Sequence, residues 1–234
     1  MIPLRDVIPS RTVPFVTITL IVLNVLAWLF ELSLSEDVLP AFLKAYGVVP
    51  AFFTWPSVVT SMFLHGGWLH LLGNMLYLWI FGDNVEDRLG HSRFLFFYLM
   101  CGAIAALVQV WFSPRSRIPM VGASGAIAGV MGGYFVLYPR SRVLTLIPLF
   151  IFIELIEVPA VLFLGLWFVF QLFSGVGSIA TTAGDVGGVA FWAHIAGFVV
   201  GAVAVLALRR PERQQVAWWM NDEGRIEDRR FGDR

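Results

Sequence analysis

Charged residues are scarce in this chain. Asp, Glu, Lys and Arg make up 14% of its 234 residues, against roughly 25% in a soluble domain. That shortage excludes an ordinary water-facing surface. The few charges balance to a net charge of zero, so nothing marks a nucleic-acid binder. Cysteine is almost missing too. Cys101 stands alone, which rules out an intrachain disulfide and reads as a small buried hydrophobe. What remains is apolar, with 58% hydrophobic residues and a mean hydropathy of +0.79. At roughly 20 residues per crossing, the length suffices for about six membrane spans.

The chain partitions accordingly. Residues 1–13 carry Arg5, Asp6 and Arg11 and read as a cytoplasmic segment. The apolar run at 14–34 is longer than a signal core and has no Ala-x-Ala site after it, so it reads as a first span. Residues 35–67, with Pro40, Pro50 and Pro56, read as a long structured loop at the interface. Further spans are expected at 68–85, 93–112 and 124–138. The stretch 144–174 exceeds one untilted span. Pro148, Glu154, Glu157 and Pro159 place its first part at the interface, with a fifth span starting near Pro159. A Gly- and Thr-rich loop at 175–188 precedes a sixth span at 189–208. Residues 209–234 read as a charged cytoplasmic tail, whose Trp218 and Trp219 suit a membrane surface.

Positive charge sets the orientation. With the N-terminus inside, the cytoplasmic side receives Arg5, Arg11, Arg88, Arg93, Arg140, Arg142 and seven tail arginines; the outside receives Lys44, Arg115 and Arg117. That asymmetry favours both termini in the cytoplasm. Spans two, four and six then all run from outside to inside. His70 and Asn74 open span two, Ser124 opens span four, and His194 lies early in span six. At 1.5 Å per residue they share one layer beneath the outer surface. Ionisable residues inside membranes are costly and face the bundle interior, which makes them functional candidates. Gly125, Gly129 and Gly133 on span four, and Ala193, Gly197 and Gly201 on span six, form stripes at four-residue spacing. Such stripes let helices meet backbone to backbone and would bring Ser124 to His194.

Three motifs carry a resemblance: Gly122-Ala123-Ser124-Gly125, Ala193-His194-Ile195-Ala196-Gly197, and His65-x4-His70-x3-Asn74. In this order on alternate spans they resemble the rhomboid intramembrane serine proteases, over about residues 14–208. The resemblance implies an all-α six-helix bundle in the cell membrane, its active site in a water-filled cavity open to the extracytoplasmic side. It implies single-span membrane-protein substrates reached through the lipid bilayer, cut near the outer face after a small residue.

The chemistry needs a hydroxyl nucleophile and a base that is neutral near pH 7, here Ser124 and His194. No acidic residue lies at their depth, so a dyad is expected, oriented by helix packing. The oxyanion donors are the Ser124 backbone N–H at a helix N-terminus and, by the resemblance, His70 and Asn74. His65 is expected to bond loop backbone and His91 to be solvated. No cofactor or metal is called for. Some relatives place a tyrosine one turn after the serine, against the histidine; here that position is Ala128, so another group must hold the ring. Some carry Trp-Arg in the first loop, where Trp55 is followed by Pro56. Trp167, Phe168, Phe170 and Phe173 on span five are bulky enough to close a lateral gap, with Gly175, Gly177, Gly184, Gly187 and Gly188 loosening the following loop. The alternatives are a non-catalytic binder of transmembrane helices and a transporter. A transporter would show inverted repeats and midplane ionic sites, and a dead relative would lack Ser124 or His194.

Overall fold

The computed structural model describes residues 2–149, 152–180, 190–210, 218–220 and 226–228. In chain order it places β1 (Ile2–Asp6), α1 (Phe15–Ser33), α2 (Leu39–Tyr46), α3 (Trp55–Thr60) and α4 (Trp68–Leu89). Then come α5 (His91–Phe112), α6 (Ser124–Leu137), β2 (Arg142–Leu149), β3 (Phe152–Pro159), α7 (Ala160–Ala180) and α8 (Phe191–Leu208). A small hairpin of β4 (Trp218–Met220) and β5 (Ile226–Asp228) follows.

Among the described residues, α1, α5, α7 and α8 are long and apolar enough to cross a membrane. The remaining two core helices differ for reasons visible in their residues. α6 is apolar but only 14 residues long. α4 is long, yet its last turns hold Asp83, Glu86, Asp87 and Arg88. Gly90, at φ 79°, makes the sharp turn into α5, a left-handed conformation natural to glycine.

α6 stands at the centre, with Ala126 through Tyr134 all buried. Its small residues make this possible. A Cβ on Gly197 would overlap the Gly125 carbonyl oxygen, and one on Gly201 the Gly129 carbonyl oxygen. α6 and α8 therefore meet backbone on backbone, where dispersion contacts are closest.

Two carboxylates fasten the ends of α1, one to α4 and one to the segment that leads into α4. Glu86, buried on α4, accepts the Val16 and Thr17 backbone N–H groups at 2.9 and 2.8 Å, and the Thr17 hydroxyl at 2.7 Å. It thereby caps a helix that has no side-chain cap of its own, where the macrodipole favours negative charge. At the far end of α1, buried Glu31 accepts the His65 backbone N–H at 3.1 Å. Glu86→Ala would orphan the two buried backbone donors at about 1–3 kcal/mol each, besides releasing the Thr17 hydroxyl. The expected loss is therefore on the order of 2–6 kcal/mol, seen as a lower unfolding midpoint in detergent; an unchanged midpoint would refute the capping account.

Three expectations need correction and one is extended. The interfacial stretch before α7 is an antiparallel β2–β3 hairpin, and β1 adds to it as a third strand, pairing Ile2 with Leu146 and Asp6 with Val143. Gly175 and Gly177 are helical residues of α7 and not part of a loop; Gly184, Gly187 and Gly188 lie outside the described residues, as does most of the 209–234 tail. His91 is not merely solvated, since its Nδ1 meets Glu86 Oε1 at 2.5 Å. The His65 side chain reaches Asn74 on α4 in addition to the loop backbone at Phe63.

Candidate active site

Ser124 is the first residue of α6, and no side chain caps that N-terminus. The strand-like segment before it is strapped down. Val48 and Met120 exchange backbone bonds at 3.0 and 2.8 Å, and Gly122 N–H donates to the Ser61 carbonyl at 2.8 Å. Gly122 has φ 125°, which favours glycine. A Cβ there would come within 2.7 Å of the His70 ring and 3.5 Å of the Asn74 amide nitrogen. Only a glycine lets this backbone lie against both side chains.

His194 sits in the first turn of α8, whose start is clamped from α5. The Gln109 carboxamide oxygen accepts the Ala193 N–H at 3.2 Å, and Phe112 stacks on Trp192 with centroids 3.9 Å apart. With the α6–α8 contact beneath it, this clamp sets His194 Nε2 2.9 Å from Ser124 Oγ. Residues 70 positions apart are thus held at hydrogen-bond distance.

Across the cavity, α4 contributes His70 and Asn74. Gly66 N–H faces His70 Nδ1 at 3.4 Å, which makes that nitrogen the acceptor and leaves the proton on Nε2, the side facing Gly122. The Asn74 amide donates to His65 Nε2 at 3.0 Å. Burial, followed by the charge of neighbouring His70, pushes His65 down to about 4. His65 is therefore neutral at physiological pH and keeps its acceptor lone pair for Asn74. A cavity of about 460 Å³ connects these groups, lined by Ser124, His194, His70, Asn74, Gly122 and Trp167 among others.

Two contacts had no counterpart in the sequence reading. Where Ala128 leaves His194 without an aromatic neighbour from α6, Trp167 of α7 stands with its ring centroid 5.8 Å away, tilted 38°. One turn on, Gln171 Oε1 lies 2.8 Å from His194 Nδ1. The signal was present. Gln171 is the one amide in an apolar run from Ala160 to Phe173, and a polar residue inside a span calls for explanation.

The span-five aromatics divide. Phe170 and Phe173 are 64% and 75% exposed and face outward. Phe168 stacks on Phe198 at 4.7 Å, and Trp167 faces the site. Removing Trp167 would therefore strip a neighbour from His194 as well as loosen α7.

Comparison with known proteins places the chain in a family. A family model described as Rhomboid domain matches residues 53–211. Rhomboid protein 1, mitochondrial, of Saccharomyces cerevisiae is 33% identical over 151 residues, which is 63% of this chain and 40% of that protein. Rhomboid-like protein 11, chloroplastic, of Arabidopsis thaliana is 32% identical over 112 residues, 46% of this chain and 40% of that protein. Rhomboid protease GluP of Bacillus subtilis is 42% identical over 78 residues, 33% of this chain and 15% of that protein. The chain spans less than two thirds of the length of each of these relatives.

Proposed function

Because the chain belongs to the rhomboid family of multi-pass membrane proteins, we propose that it is an intramembrane serine endopeptidase working through a Ser124–His194 dyad. The observation that carries this reading is the 2.9 Å approach of Ser124 Oγ to His194 Nε2 inside a cavity between apolar helices. Residues 14–208 form the protease domain, with α1, α4, α5, α6, α7 and α8 as its six spans. Both terminal segments lie in the cytoplasm. The protein sits in the cell membrane with its cavity open to the extracytoplasmic side.

In the proposed reaction, His194 Nε2 takes the Ser124 proton as Oγ adds to a peptide carbonyl carbon of the substrate. The carbonyl electrons move to oxygen. His194 returns the proton to the departing amine, the C–N bond breaks and an acyl-enzyme remains. Water, deprotonated by the same imidazole, then releases the acid and restores Ser124. The developing oxyanion would be met by the Ser124 N–H at the uncapped start of α6, His70 Nε2–H and the second Asn74 amide hydrogen. The substrates are single-span membrane proteins. A helical segment hides its carbonyls in hydrogen bonds and must unwind before one can be attacked.

The decisive experiment is active-site labelling. A fluorophosphonate should modify the wild-type protein at Ser124 and leave Ser124→Ala untouched; no labelling of the wild type would favour a non-catalytic binder. For the oxyanion groups, Asn74→Ala should lower kcat by about 10²–10³, the usual worth of one such donor, and keep labelling detectable. His70→Ala should cost at least as much. Wild-type turnover by both variants would leave the oxyanion to backbone groups alone.

A further inference from the structure

An imidazole base has two nitrogens, and catalysis needs the lone pair on the one facing the nucleophile. The other must then carry the proton. In a Ser-His-Asp triad a carboxylate enforces this tautomer. No carboxylate is hydrogen-bonded to His194 among the described residues; the titratable neighbour acting on it is His70 of α4. What reaches His194 Nδ1 instead is the Gln171 carboxamide oxygen, at 2.8 Å, from a side chain 6% exposed. A carboxamide oxygen can only accept. This contact therefore fixes the proton on Nδ1 and turns the Nε2 lone pair toward Ser124 Oγ. Trp167, one turn earlier on the same face of α7, flanks the ring.

We propose that Gln171 is the positioning residue of the dyad, holding His194 in its Nδ1–H tautomer, and that α7 must be seated for Ser124 to be reactive. This inference rests on the serine-protease reading. It makes α7 more than a wall of the cavity, because its displacement would withdraw the Nδ1 acceptor and the flanking ring together. A neutral amide adds no negative charge opposite the imidazolium, so Gln171 orients the base without the electrostatic help a carboxylate gives.

The test uses the full chain in detergent, with three readouts: the rate of fluorophosphonate labelling at Ser124, kcat and KM for a transmembrane substrate, and the ¹⁵N resonances of His194. Gln171→Leu removes the acceptor at similar volume. It should slow labelling and lower kcat about tenfold, equivalent to about 1.4 kcal/mol and to roughly one hydrogen bond, with KM nearly unchanged. Its His194 ¹⁵N signals should move from the Nδ1-protonated pattern toward a tautomer mixture. Gln171→Glu keeps an oxygen at the same reach and should stay within about threefold of wild type by that arithmetic. If the leucine variant does not fold, Gln171→Met takes its place. Wild-type labelling and an unchanged tautomer in the variant lacking the acceptor overturn the proposal, as does an equal loss in that variant and Gln171→Glu. Failure of the wild type itself to label Ser124 overturns the protease reading instead.

Discussion

Ser124→Ala and His194→Ala should each abolish cleavage of a transmembrane reporter while the protein still inserts and folds. Neither substitution touches the α6–α8 backbone contact, which is made by Gly125, Gly129, Gly197 and Gly201. In a soluble serine protease, losing the serine or the histidine alone costs about 2 × 10⁶ in kcat, nearly as much as removing the whole constellation. The same logic makes the double variant here no worse than either single one. The check is turnover by purified protein, with thermal unfolding as the control for folding. Measurable turnover by Ser124→Ala, free of wild-type contamination, would end the assignment of Ser124 as nucleophile.

Gly197→Val should also be damaging, by a different route. Its added carbons meet the Gly125 carbonyl oxygen and the Ala128 methyl at 3.2 Å; neither can swing aside as a flexible side chain could. The helices must part, and the parting falls within one turn of His194. A misplacement of about 1 Å can cost 10²-fold in rate, so at least that loss is expected, together with about 1–3 kcal/mol of stability from overpacking. Gly177→Ala is the matched control. A Cβ there meets nothing within 4 Å, so its activity and melting should match wild type. Equal behaviour of the two variants would show that the stripe does not set the dyad distance.

Much of this arrangement was written in the sequence because membranes impose it. Apolar runs and their flanking arginines placed α1, α4, α5, α6 and α8 within a few residues, and the start of α7 near Pro159. The glycine stripes foretold the approach of α6 to α8. The hairpin of β2 and β3 was illegible for two reasons. Its apolar run up to Phe152 hides any alternation, and its third strand comes from Ile2–Asp6, a pairing no local pattern carries. Gly175 and Gly177 misled because glycine is common within membrane helices. Gln171 was not legible as the partner of His194 because the histidine of a serine protease is ordinarily oriented by an acid, whereas a neutral acceptor in an apolar helix meets the same geometric need.

The sheet that joins β1 to the hairpin has a mechanical consequence. β3 ends at Pro159 and α7 begins at Ala160, so the foot of α7 is fastened to a three-stranded platform that includes the chain's first residues. Gln171 lies eleven residues up that helix from Ala160, a lever arm of about 16 Å at 1.5 Å per residue. A tilt of about 10° about the foot displaces the side chain by roughly 3 Å, a full donor–acceptor distance. Small rotations at the platform are thereby magnified into the making or breaking of one hydrogen bond at the histidine.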